Sequence, residues 1–222
     1  MTVSPLTEAD IIDLIYSTYE VDDTTWSISD AEYLTARRLC NGSIRRWEYL
    51  EGVRWNELFT TLTSASTGTK TVTAGTYVYA CPDDMRVPPK SEDFVRVNGE
   101  LYPVVALSKI QQLGDSMARY CYFTGNPKLG YKLNFNTSLV FTTGHTIEYE
   151  YYRSATYFSA PTSSTEMSNP MFIVHDVLSR LYRGDGMLTE SRDELQFAEN
   201  LLQEMKAENF EVISDDVAGF GI

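Results

Sequence analysis

Histidine is almost missing from this chain. Only His145 and His175 occur among 222 residues, and neither stands among other His, Cys or carboxylate groups at metal-ligand spacing. No metal site is therefore expected. Cysteine is nearly as scarce. Cys40, Cys81 and Cys121 are odd in number, far apart and without a C-x-x-C pair. That argues against a disulfide framework and for three small buried hydrophobes in a protein made in a reducing cytosol. No run of about 18 apolar residues exists, so no membrane-spanning segment is expected. Residues 1–10 carry neither a basic n-region nor an apolar h-region, and no signal peptide is read there. Lys and Arg are the minority charge, 18 against 31 Asp and Glu, for a net of −13 at pH 7. Such a balance excludes nucleic-acid binding through a broad basic patch, because that affinity comes from cations neutralising phosphates.

Signatures of chemistry are missing too. There is no G-x-x-x-x-G-K-[ST], no G-x-G-x-x-G and no G-x-S-x-G. No cofactor and no catalytic residue is assigned. The adjacent carboxylates Asp22-Asp23, Asp83-Asp84 and Asp215-Asp216 read as solvated turns, since consecutive side chains point apart. Asn41-Gly42-Ser43 and Asn136-Thr137-Ser138 match the glycosylation triplet, by chance on this reading.

What the chain has is aromatic and apolar mass: 15 Tyr, 10 Phe and 3 Trp, with 43% hydrophobic and 22% charged residues. It reads as globular. Thr7-Glu8-Ala9-Asp10 is an acidic variant of a capping box, followed by Ile11, Ile12, Ile15 and Tyr19 at helical spacing. A second helix opens on the Ser29/Glu32 box. Tyr33, Ala36, Cys40, Ile44, Trp47 and Leu50 form its apolar stripe, and Arg38, Asn41, Arg45 and Glu48 share another face. Gly52 is the expected terminator. Gly42, mid-helix, either allows a close approach or splits the helix. Trp47 and Ile44 are expected to pack on the C-terminal helices.

After Gly52 the texture changes to Thr, Val, Tyr and Phe with Gly and Pro punctuation, a β signature. Strands are predicted near 54–62, 69–73, 76–80, 93–97, 100–105, 119–124, 131–135 and 145–153, with a short helix near 107–113. Asn98-Gly99 predicts a type I′ hairpin, and residues 145–151 alternate as one half-buried strand. Tyr149, Tyr151, Tyr152, Tyr157 and Phe158 suit a core and interface stripe better than a sugar-binding face. Residues 162–165 read as a linker. Asn169-Pro170 then caps a helix with Met171, Val174, Leu178 and Leu181 on its stripe. A last helix over 188–209 places Leu188, Leu195, Ala198, Leu202 and Met205 on one side.

The expected fold class is α+β: an acidic helical bundle formed by the N- and C-terminal helices (1–52 plus 166–210), with an inserted antiparallel β-rich, sandwich- or barrel-like domain (53–165). Net charge follows this division, −6 over 1–52, +1 over 53–165 and −8 over 166–222. Residues 211–222 are read as an extended tail that orders on binding. Val212, Ile213, Asp215, Asp216, Val217, Phe220 and Ile222 are its candidate contacts with a binding partner or a neighbouring subunit, Phe220 and Ile222 as anchors.

The helical block Ala31-Glu32-Tyr33-Leu34-Thr35-Ala36-Arg37-Arg38-Leu39 through Arg46-Trp47 carries a resemblance. So do the strand pair around Cys81-Pro82-Asp83-Asp84-Met85-Arg86-Val87, the Asn169-Pro170 helix, the long final helix and the short tail. Together they resemble the head-to-tail adaptor (connector) proteins of tailed bacteriophages over nearly the whole chain. The resemblance implies a structural, non-enzymatic virion protein at the head–tail junction, synthesised in the host cytoplasm. It implies a twelve-subunit ring, helices docked on the portal protein, and a β domain reaching towards tail or nozzle proteins. It also implies genomic DNA passing through without specific binding, no membrane partner, and a C-terminal tail that changes conformation on docking. An acidic channel wall that repels phosphates agrees with this. The competing readings are another phage tail-tube or tail-completion subunit, a carbohydrate-binding β-sandwich module with helical flanks, and a hydrolase without a visible motif.

Overall fold

A computed structural model describes residues 6–19, 31–62, 66–113 and 119–218, with side chains for all of these except 111–113 and 210–218. The chain is mixed helix and sheet. It divides into two compact units, Met1–Glu57 with Ala155–Ile222, and Leu58–Ser154.

The first unit is helical: α1 (Glu8–Thr18), α2 (Ala31–Glu48), α4 (Met171–Gly184) and α5 (Leu188–Ala218). The expected cap of α1 forms. Thr7 Oγ1 accepts from Asp10 N–H at 3.3 Å, and Asp10 Oδ2 accepts from Thr7 N–H at 2.8 Å. The Ser29 cap of α2 lies outside the described residues. The segment read as a linker is instead pinned to α1. Ser163 and Pro161 carbonyls accept from Glu8 and Ala9 N–H at 2.7 and 3.0 Å, satisfying first-turn donors that a helix cannot satisfy itself.

Ile11, Ile12 and Ile15 of α1 and Tyr33, Ala36, Cys40, Ile44 and Trp47 of α2 are buried as their spacing predicts. Trp47 stacks on Trp55 at 5.1 Å, and its carbonyl accepts from Trp55 Nε1 at 2.7 Å. Helix α4 packs against α1, α2 and α5. Its burial is accordingly wider than one stripe and includes Phe172, Ile173, Val174, Val177 and Leu178. Regular helix begins at Met171, one residue later than predicted, while Asn169 Oδ1 still accepts from Met171 N–H at 3.2 Å. On α5, Ala198, Leu202 and Met205 are buried but Leu188 is exposed. Helix α5 also continues to Ala218, where extended chain was expected from 211. No Gly or Pro stands between Leu188 and Gly219, and a helix once nucleated propagates until a breaker intervenes.

The second unit holds nine strands among the described residues: β1 (Phe59–Thr61), β2 (Val78–Ala80), β3 (Met85–Val87), β4 (Phe94–Val97), β5 (Glu100–Pro103), β6 (Cys121–Asn126), β7 (Gly130–Phe135), β8 (Ile147–Glu148) and β9 (Glu150–Arg153). A short helix α3 (Leu107–Leu113) lies between β5 and β6. They pair antiparallel in three sheets, β1-β9-β3, β2-β7-β6 and β5-β4-β8. The 98–99 turn forms with Asn98 at φ 50° and Gly99 at φ 82°, both left-handed as a type I′ turn requires. Four strand expectations are corrected. Residues 54–58 are irregular and 3-10 helical, and 69–73 contribute one isolated bridge at Thr71. Strands β2 and β3, read as a pair around 81–87, join different sheets. The alternating run 145–151 is divided at Tyr149 between β8 and β9, also in different sheets, although Ile147, Tyr149 and Tyr151 all point into the core. That core joins Val72, Tyr79, Val95, Val97, Tyr102, Leu133, Phe135 and Phe141 to them.

Candidate interaction surface

Buried carboxylates organise the helical unit. Asp176 on α4 accepts from Ser43 Oγ (2.6 Å) and Arg46 Nη1 (2.5 Å) on α2, and from Arg180 Nη2 (2.5 Å) one turn further along its own helix. Arg46 also pairs with Glu199 of α5. Glu8 of α1 receives Arg37 Nε of α2 at 2.7 Å. Glu48, fully buried, accepts from Ala155 N–H at 3.3 Å and from the Tyr157 hydroxyl. Burial and the Glu48 carboxylate both push the Tyr157 phenol well above its ordinary value. Asn41 exchanges two hydrogen bonds with the Phe158 backbone, at 2.8 and 3.0 Å. Each of these carboxylates accepts at least one hydrogen bond, while Glu8 Oε2 is buried without a partner among the described residues.

The face of α2 beside this network is different. Arg38, Asn41, Gly42, Arg45 and Tyr49, with Tyr157, line a groove of about 450 Å³. Arg38, Arg45 and Tyr49 are exposed. The Arg45 guanidinium lies 5.9 Å from the Tyr49 ring centroid, within cation–π range. Gly42 does not split the helix. A Cβ there would come 2.9 Å from Arg180 Nη1, so the end of that side chain lies close over the α2 backbone at Gly42. The other α2 arginines, Arg37 and Arg46, are spent on Glu8, Asp176 and Glu199. Among the described residues Arg38 and Arg45 have no ion-pair partner. The groove is therefore a local positive surface, with an exposed aromatic rim, on a chain of net charge −13.

The C-terminal residues singled out from the sequence are not gathered into a described site. Backbone at Val212, Ile213, Asp215, Asp216 and Val217 is helical, and their side chains lie outside the described residues, as do Phe220 and Ile222 entirely. The groove was only half visible beforehand. The spacing of Arg38, Asn41 and Arg45 put them on one face, but nothing in the sequence separated these arginines from Arg37 and Arg46, which are consumed internally. Tyr157 is 108 residues from Tyr49, and only the fold brings it to α2.

The aromatic stripe is not a single face. Tyr149 and Tyr151 are core residues of the β unit, Tyr151 donating to Asp84 Oδ1 at 3.0 Å, while Tyr157 and Phe158 belong to the helical unit. Burial pushes the Cys40 and Cys121 thiols up to about 12 and Cys81 up to about 11. Burial thus favours the protonated form of each thiol at neutral pH. His175 Nδ1 meets Glu194 Oε2 at 2.6 Å. Among the described residues no three His, Cys, Asp or Glu side chains converge as metal ligands, and no helix is long and apolar enough to cross a membrane. No protein-family model matches the chain, and no curated protein matches it.

Proposed function

We propose that the protein is a structural subunit of a tailed-phage particle, a head-to-tail adaptor that assembles with copies of itself between the portal and the tail. The observation that carries this reading is the distribution of charge and packing. Helices from both ends of the chain share one unit around α4. Their buried carboxylates are consumed in holding those helices together, and the remaining surface charge is strongly acidic. A protein that must surround DNA without gripping it needs that balance. On this reading the helical unit is a bundle that faces the portal, and the intervening β unit is an inserted domain that faces the tail proteins. The protein has no catalytic role in this scheme.

The test is a particle reconstruction. Virions produced by a genome encoding this protein should contain it as a ring at the head–tail junction, with the helical unit towards the portal. A reconstruction that places it elsewhere in the particle, or particles that lack it, would refute the proposal. Deleting residues 211–222 addresses the C-terminus. The subunit should stay folded and lose its place in the particle, and particles assembled normally from the truncated chain would remove that segment from the scheme.

A further inference from the structure

We infer that the α2 groove seats the acidic C-terminal helix of a second copy of this chain, with Arg38 and Arg45 each receiving a carboxylate. The inference rests on the adaptor reading for its biological setting, but its argument is one of spacing and charge.

Arg38 and Arg45 are seven residues apart on a continuous helix, two turns or about 10.5 Å along its axis. In α5, Glu204 and Glu211 are seven apart, and so are Glu208 and Asp215. On a helix laid along a helix, in either direction, these backbone positions recur at the same interval as Arg38 and Arg45. Glu204 and Glu208 are both exposed.

Their own copy cannot use them this way. Helix α5 is fixed to its own α2 at Arg46–Glu199, and Asn209 is tied to Arg54 and Asn56, its Nδ2 donating to the Arg54 carbonyl at 2.9 Å and its Oδ1 accepting from Asn56 N–H at 2.8 Å. Glu204 and Glu208 lie between these anchors, and neither reaches Arg38 or Arg45.

Charge selects the occupant. Two copies at −13 each repel over most of their surfaces. Residues 166–222 alone carry −8, so the place on a neighbour where that segment is attracted is one with unpaired cations. The groove supplies two, and Tyr49 and Tyr157 add amphipathic rings of the kind that interfaces favour. A groove on one copy and a helix on the next are different surfaces, so the contact is heterologous. Repeated, it closes into a ring or runs on as a filament.

The test uses the full chain and three preparations: wild type, R38E/R45E and E204K/E208K. All four residues are exposed, and circular dichroism with tryptophan fluorescence confirms that the variants fold. Self-association is measured by sedimentation velocity and native mass spectrometry up to the order of 100 μM, at low and at raised salt. Wild type should associate and weaken as salt rises. Each variant alone should associate at least about tenfold more weakly. An equimolar mixture of the two variants should recover association, because each restores the opposite charge to the other.

A wild type that stays monomeric at low salt overturns the proposal. So does either variant associating like wild type, or a mixture that fails to recover. R38E/R45E losing only retention on duplex DNA would also overturn it, and would reassign the groove to phosphate. The two readings can fail separately. Virions that carry R38E/R45E at full copy number would sink the contact and leave the adaptor in place. Copies that associate as described in a protein missing from virions would do the reverse.

Discussion

Removing the charge from Asp176 while keeping its shape is the most direct probe of the helical unit. Asp176→Asn leaves one acceptor oxygen and substitutes an NH₂ donor for the other. The less costly orientation points the NH₂ at Arg46, which keeps Glu199, and leaves the oxygen to Ser43 and Arg180. Ser43 is fully buried, so turning its charged acceptor into a neutral one costs about 1 kcal/mol. The Arg46 and Arg180 side chains are 32% and 36% exposed. They recover water, and each loss is held to about 0.5–1 kcal/mol. The expected cost is about 2–3 kcal/mol. Asp176→Ala removes every acceptor of the hub, leaves Ser43 Oγ only the longer bond to the Leu39 carbonyl at 3.3 Å and opens a void, for about 3–5 kcal/mol. Urea unfolding followed by tryptophan fluorescence measures this. All three tryptophans fall within Met1–Glu57, so the signal belongs to the helical unit and is not averaged with the β unit. Since Asp176 is buried, raising salt should change the loss little. A cost below about 1 kcal/mol for both variants, or a loss erased by salt, would refute the buried-hub account.

Four further outcomes follow from the same geometry. Trp47→Ala should cost about 3–5 kcal/mol by the same assay, since a fully buried ring stacked on Trp55 is lost; a cost near zero would mean that the ring is not packed. Hydrogen bonds from the Thr7 side chain and backbone hold the Asp10 carboxyl below its ordinary value near 3.8. A depressed folded pKa contributes stability that is present above that value and lost as pH falls through the folded one. Thr7→Ala should therefore cost about 1 kcal/mol at neutral pH and less near pH 3, by thermal melts, and Asp10→Asn should show a smaller acid-dependent loss than wild type. Aromatic disulfide reagents should titrate none of the three thiols in the native protein at neutral pH and all three after denaturation, because burial holds each thiol protonated and out of reach. Gel-shift or anisotropy measurements should find no salt-sensitive complex with duplex DNA; a micromolar complex that weakens steeply with salt would contradict the repulsive-channel reading.

Local signals in the sequence were sound wherever the physics itself is local. The Thr7–Asp10 cap, the α2 stripe from Tyr33 to Trp47 and the Asn98-Gly99 turn each depend on residues within a turn or two of one another. Each formed as its spacing required. The α+β class followed from the change of texture after Gly52. Errors arose where a nearby pattern had two tertiary solutions. The 145–151 alternation is the same whether one sheet or two receive it, so the division at Tyr149 is decided by which partner strands lie alongside. Residues 162–165 have linker composition, but the first-turn N–H groups of α1 gave the carbonyls of Ser163 and the adjoining Pro161 a partner. The two glycines, the Asp-Asp pair and the missing helical period of 211–222 suggested a tail, but both glycines stand beyond Ala218, and helix α5 continued up to it.

The α1 cap, the Asn98-Gly99 turn, the apolar faces and the acidity at the two ends of the chain were all legible in the amino-acid order. These are properties of short windows and of composition. Only the tertiary structure decided which charges remain available. Arg37, Arg38, Arg45 and Arg46 occupy one helix and are chemically identical. Arg37 and Arg46 find Glu8, Asp176 and Glu199 on other helices, and Arg38 and Arg45 do not. Whether an arginine is a strut or a binding group depends on what lies within about 4 Å of its guanidinium, and for Arg37 and Arg46 the carboxylates that settle it lie 29 to 153 residues away in the chain.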